Sequence, residues 1–327
     1  MKEKTEWYDI AKFIAIWSVI LGNSGNDSIH EFVAVYHTPL FLFTGGYFLS
    51  QIALPDFIKE KAKALLSPYL QTCLVMILVG VGECLLSGHS ASAGEAALYW
   101  LKASAYGAGF NHPFMEAIGV SKIGAIWYFL GFLQAMIIVR LICKIQSKPV
   151  QFAIVLAMFA LGVYSTDFFW LPLSVQAALT ATLFVYAGWQ FREYDLLKTR
   201  NIGYIWIPAL LLLGFCWYKD WNVLVYKNHY SLWLLSALIA IIVDLGFIVI
   251  SMKLEDILPV SILKIVTLYG RNTAVILCLH LIESTFIPWD QIITIGGPLI
   301  SFIIIHIIKA IIFYLAVYLY EEKKKAA

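Results

Sequence analysis

Residues 8–50, YDIAKFIAIWSVILGNSGNDSIHEFVAVYHTPLFLFTGGYFLS, set several polar groups into an otherwise apolar run. Asp9 and Lys12 stand three residues apart, so on a helix they are surface neighbours and a natural ion pair. Asn23 follows Lys12 by eleven residues, close to three full turns, which puts both on one stripe about 16 Å apart along the axis. His37 heads the next apolar run, and an imidazole is the side chain best suited to accept a proton near neutrality. Pro39 removes a backbone donor from that run and frees the carbonyl of Val35, and Gly45-Gly46 weaken the helix further. Backbone breaks at membrane depth occur where the chain is buried or lines a cavity. A plainer reading stands beside this one: a lysine snorkelling next to an acid, Asn23 as a helix C-cap, and His37 as a packing residue.

The elements that must hold these groups are membrane helices. The chain has 327 residues, of which 61% are hydrophobic and 13% charged, with a mean hydropathy of +0.80. Soluble domains carry about 25% charged residues. A net charge of +2 is too small to suggest a nucleic-acid partner. The five cysteines lie in or beside apolar runs without metal-ligand spacing, and read as small buried hydrophobes. The first apolar run follows lysines as a signal peptide would, but it lacks a small-residue cleavage site and is kept as a permanent span.

A span needs about 20 mostly apolar residues. About ten candidates emerge: Ile10–Gly22, Phe32–Leu49, Pro68–Leu86, Ile123–Cys143, Val150–Tyr164, Leu171–Phe191, Ile202–Tyr218, Leu232–Ser251, Ile265–Ser284 and Pro298–Tyr320. With this count both termini share a side. Lys2, Lys4, Lys59, Lys61, Lys63, Arg140, Lys144, Lys148, Arg192, Lys198, Arg200, Lys253, Lys264 and the lysines at 323–325 fall on it, leaving Lys102, Lys122, Lys219 and Lys227 opposite. The positive-inside rule then makes both termini cytoplasmic. No internal repeat or linker is visible, so residues 1–327 read as one all-α, polytopic domain. Residues 94–105 could form an interfacial helix with Tyr99 and Trp100 at headgroup level. Asp244 and Lys309, each costly alone at membrane depth, are expected to pair.

The opening stretch resembles that of the acyltransferase 3 family, membrane O-acyltransferases that modify surface glycans. In the fucose-4-O-acetylase-like branch it reads DIAKGIAIILVVLGHS and then FHMPLFFFISGYF. FIKEKAKALLSPYL (57–70), IWYFLGFLQA (126–135), LFVYAGWQFRE (183–193) and LYGRNTAVILCLHLI (268–282) resemble later family segments in the same order. The resemblance implies transfer of an acetyl or other short acyl group from cytoplasmic acetyl-CoA to a hydroxyl of a cell-surface or lipid-linked glycan, at a bacterial plasma membrane and without a metal. The family pattern is a basic residue, ten intervening residues, then a histidine. Lys12 fits, but Asn23 holds the histidine's place. An asparagine can hydrogen-bond but cannot take a proton at any useful pH. Three explanations are open: a substitution made to trap a substrate, a natural loss of activity, or His37 as the base.

The donor's phosphates need positive charge near the cytoplasmic mouth: Lys59, Lys61 and Lys63, which read as alternating along a loop, could supply it or reflect only the ordinary positive-inside bias, and Arg271 stands in a GRN motif that matches the family. Trp127 and Tyr128 read as belt or interface residues, though their family position suggests shaping an acyl tunnel. His280 lies nine residues beyond Arg271, on the opposite face of a straight helix, so the two should not share one cavity. A transporter or flippase of a small metabolite or lipid-linked sugar is the alternative, and a sensor that kept the fold is a third reading. Against transport stand the missing repeat and the lack of a second interrupted helix to match the one at Pro39.

Overall fold

A computed structural model describes residues 6–88, 92–294 and 296–326. Lys2 and Lys4, part of the charge argument, lie outside the described residues. The described chain is α-helical apart from one two-residue β pair. In order it forms α1 (Glu6–Gly22), α2 (Asp27–Ala34), α3 (His37–Tyr47), α4 (Leu54–Leu86), α5 (Ala93–Tyr106), α6 (Pro113–Ala117), α7 (Trp127–Ile142), α8 (Lys148–Ser165), α9 (Val175–Glu193) and α10 (Trp206–Tyr218). A short hairpin, β1 (Val223–Leu224) with β2 (His229–Tyr230), precedes α11 (Leu234–Ile257), α12 (Val260–Arg271), α13 (Thr273–Phe286), α14 (Trp289–Ile292) and α15 (Pro298–Ala326).

Each expected span coincides with a helix or a pair of helices. Among the described residues, α4, α8, α11 and α15 are long and apolar enough to cross a membrane alone, and the bent pair α12–α13 makes a fifth. Their outer faces carry exposed leucines, isoleucines and aromatics, such as Leu74, Leu78, Ile303, Ile307 and Ile311, as lipid contact requires.

Two of the expected spans are broken. The second run splits into α2 and α3 at Val35–Tyr36, ahead of Pro39. Gly45 and Gly46 do not end α3, which continues to Tyr47; they serve packing instead. A methyl group on Gly46 would overlap the Val185 carbonyl of α9, and one on Gly188 of α9 would overlap the Phe43 carbonyl of α3. Small residues let helix backbones touch in this way.

The ninth run breaks at Asn272, where α12 and α13 meet at 71°. The Asn272 side-chain amide donates to the Leu268 carbonyl at 2.9 Å, and its backbone N–H turns to the Tyr269 carbonyl at 3.0 Å. A short polar side chain that takes a helix carbonyl competes with the regular ladder at that point. A second interrupted helix therefore exists, contrary to the expectation that there was none.

Other expectations change as well. Lys59, Lys61 and Lys63 are not on a loop: α4 begins at Leu54 and runs unbroken through Pro68. Residues 94–105 do form a helix, within α5, and Trp100 packs against Gly80 of α4. The pair Asp244–Lys309 does not form. Lys309 binds Glu283 at 3.0 Å, and Asp244 sits fully buried in α11 with both carboxyl oxygens unpartnered among the described residues.

Gly188→Ala is expected to lower the unfolding temperature of the detergent-solubilised protein by several degrees, because overpacking costs about 1–3 kcal/mol. Gly82→Ala, in open space on α4, should leave it unchanged or raise it slightly. Equal melting curves for the two variants would refute the close α3–α9 contact.

Candidate functional site

The site is organised along α1. At its N-terminal end the buried Asp9 carboxylate takes two cations: Lys12 Nζ on Oδ1 at 2.9 Å and Arg271 Nε on Oδ2 at 2.9 Å. Gly270 makes the second contact possible, since any Cβ there would strike the Asp9 carbonyl and push α12 away from α1. Lys12 Nζ also lies 4.2 Å from the centre of the Tyr8 ring. Two cations to one carboxylate leave the cluster net positive. Arg271 has more than half of its side chain exposed, at 57%, so its remaining N–H groups are accessible.

At the other end of α1, Asn23 is the first residue after the helix, and its N–H donates to the Val19 carbonyl at 3.1 Å, a C-cap arrangement. Its side chain has a second role. Asn23 Nδ2 lies 3.1 Å from His280 Nε2, and His280 Nδ1 lies 2.7 Å from Glu283 Oε1. With Nδ1 protonated and donating to the carboxylate, Nε2 accepts from the Asn23 amide. Glu283 also receives Lys309 and the Trp289 indole N–H. The 71° bend at Asn272 overturns the straight-helix argument that set His280 aside. Arg271 and His280 are both brought to α1, one at each end. Spacing alone concealed this, and the Asn in GRN was the available signal.

His37 begins α3. Its Nδ1 lies 2.7 Å from the Val33 carbonyl, which accepts the Nδ1 proton and leaves the Nε2 lone pair free to serve as an acceptor. Tyr36 Oη, hydrogen-bonded to Ser18 Oγ at 2.9 Å, sets this point level with Ser18, between Lys12 and Asn23.

These groups surround one cavity of about 990 Å³, lined by Lys12, Asn23, His37, Lys61, Tyr128 and Arg271 among others. Aromatic walls come from Phe41, Tyr128, Phe129 and Phe132, with the Tyr128 and Phe132 rings stacked at 5.1 Å. Trp127 and Tyr128 thus face inward and are not belt residues. Tyr99 and Trp100 of α5 line the cavity too. Asp9 stands behind the lining and positions Lys12 and Arg271. Lys59 and Lys63 are exposed and do not reach the cavity: residues two apart on a helix are about 200° apart around the axis, so only Lys61 turns inward.

The lysine-bearing end is also where other arginines gather. Arg140 Nη2 donates to the Ile52 carbonyl at 2.6 Å, and Arg192 Nη1 donates to the Leu49 carbonyl at 3.1 Å, both just after α3. The Phe48 ring in turn sits 4.2 Å from the Tyr8 ring, near the start of α1.

The family model described as an acyltransferase domain matches residues 5–320. The chain belongs to the acyltransferase 3 family. No curated protein and no solved structure matches it. The family match favours a membrane acyltransferase, and nothing supports the transporter alternative.

Removing the shared carboxylate should be the costliest change at the inner cluster. Asp9→Asn leaves the nearly buried Lys12, with 14% of its side chain exposed, without its counter-charge. Breaking a buried pair typically costs about 3–5 kcal/mol. Arg271→Ala should cost less, because more than half of that side chain is exposed. Thermal unfolding of both variants checks the order, and a larger loss for Arg271→Ala would contradict the cluster's construction.

Proposed function

We propose that this acyltransferase moves an acetyl or other short acyl group from cytoplasmic acyl-CoA to a hydroxyl of a cell-surface or lipid-linked glycan. The observation that carries the reading is the single cavity with cations at one end and His37 and Asn23 further along. In this reading ten helical segments cross the bilayer of the plasma membrane, both termini are cytoplasmic, and the Asp9–Lys12–Arg271 end opens inward.

Arg271 and Lys61 receive the donor's phosphates. A guanidinium matches phosphate oxygens in pairs, while an ammonium supplies a point charge. The aromatic walls then accommodate the pantetheine arm and exclude water around the thioester. His37 takes the proton of the acceptor hydroxyl at Nε2 as that oxygen bonds to the thioester carbonyl carbon. The carbonyl becomes an oxyanion, and the amide N–H of Asn23 not used by His280 is a donor for it. When the C–S bond breaks, the departing thiolate takes the proton back from His37. The products are the ester and free CoA thiol, and no net proton is consumed.

This assigns the base role to His37 and a hydrogen-bonding role to Asn23. His37→Gln keeps a polar side chain but cannot take a proton, and should lower transfer to a glycan acceptor by about 10²–10⁴-fold while acetyl-CoA still binds. Arg271→Ala should weaken acetyl-CoA binding by about tenfold or more, the scale of a lost charge-assisted contact. Purified protein in nanodiscs that shows no saturable acetyl-CoA binding would remove the basis of the proposal. Full activity in His37→Gln would remove that residue from the mechanism.

A further inference from the structure

A second chamber of about 300 Å³ adjoins the first at its Asn23 end. Asn23 and Ser284 line both, so they form the partition between the two. The second chamber is built from the turn after α1, from α14 and from the first turns of α15, and its chemistry differs from that of the aromatic cavity. Trp289, Asp290 and Gln291 come from α14, and His306 and Lys309 from α15.

Its side chains are held in particular states. The Trp289 indole N–H is bound to Glu283, which fixes the ring plane. Lys309 Nζ lies 5.7 Å from the centre of that ring, and its charge is taken up by Glu283 at 3.0 Å. His306 Nδ1 is tied to the Phe302 carbonyl at 2.8 Å, leaving Nε2 shielded from solvent and unpartnered among the described residues. An aromatic ring, a carboxylate and an amide therefore converge on one small space, with the His306 ring in its wall. Ile287, Pro288 and Ile305 supply apolar floor.

That set suits an uncharged ring bearing several hydroxyls. Axial C–H groups lie against an indole face, and each hydroxyl can both donate and accept. An anionic ligand fits poorly, because the chamber's buried cation is already neutralised by Glu283 and Asp290 adds negative charge. An acyl chain fits poorly against the convergent polar groups. The volume sits at the lower limit of ligand cavities, about 300–1,000 Å³, so a single ring matches it better than an extended oligosaccharide.

We infer that this chamber is the acceptor subsite, holding one neutral pyranose unit against Trp289 with a hydroxyl directed past Asn23 into the larger cavity. His280 and Glu283 are positioning residues here: through His280 they hold the Asn23 amide in the partition. The fate of the hydroxyl rests on the acyl-transfer reading, but binding of the sugar ring does not.

The test uses the full chain in nanodiscs and three probes, the methyl glycosides of N-acetylglucosamine, galactose and fucose. Binding is followed by saturation-transfer NMR, and acetyl-CoA affinity is measured in parallel. The expected result is saturable binding of at least one glycoside. The double variant Asp290→Asn/Gln291→Ala, at two exposed positions, should weaken it about tenfold or more, with the melting temperature and acetyl-CoA affinity unchanged. Trp289→Phe should retain part of the binding and Trp289→Ala should abolish it. The inference is overturned if none of the three glycosides saturates, or if the double variant binds as tightly as the parent. Glycoside binding without acetyl-CoA binding would defeat the acyl-transfer reading and leave the sugar subsite standing; the converse would defeat the subsite alone.

Discussion

One helix is held at both ends by the two halves of another. Arg271, at the end of α12, reaches Asp9 near the start of α1, and His280, on α13, reaches Asn23 just past its other end. A straight helix could not make both contacts, because nine residues put the two side chains on opposite faces. The break at Asn272 converts that mismatch into a clamp. Its energetic basis is local: a buried asparagine exchanges a regular ladder bond for a side-chain bond to the Leu268 carbonyl. Everything that defines the cavity, from the paired cations to the amide at the partition, depends on α1 being fixed in this way.

The same economy governs how helices approach one another. In lipid there is little hydrophobic force between helices, so association relies on close backbone packing and on polar contacts. Gly46 and Gly188 bring α3 and α9 into backbone contact, and Gly270 does the same for α12 and α1. The first contact fixes the helix that begins with His37. The second brings a carboxylate and a guanidinium within hydrogen-bond reach. Polar groups at depth are then spent in two clusters, Asp9 with Lys12 and Arg271, and Glu283 with His280, Lys309 and Trp289. Each surrounds one carboxylate with several donors, the arrangement that makes a charge tolerable away from water. Asp244 follows no such rule: its carboxyl has no partner among the described residues, and nothing in the structure explains why it is kept in α11.

The chemistry of the cavity wall changes along the length of α1. Its start is cationic and suits phosphates; its middle faces aromatic walls and His37; its end is neutral and hydrogen-bonding. Asn23 has the fully buried His280 directly behind it. The polar network at position 23 is thus continuous with Glu283 and the second chamber.

Sequence alone determined what depends on composition and local spacing. Long apolar runs require helices in a bilayer, a three-residue interval requires Asp9 and Lys12 to be neighbours, and an eleven-residue interval puts Asn23 on the same stripe. The ordered motifs were enough to identify the family. Tertiary structure alone decided which distant polar groups meet. Lys309 chose Glu283 over Asp244, Lys61 turned inward while Lys59 and Lys63 did not, and His280 came to Asn23. Local periodicity gives the face of a straight helix, but contacts between helices depend on bends and crossing geometry. Those are set by single residues such as Asn272 and Gly270, whose effect appears only once the partner backbone is in place.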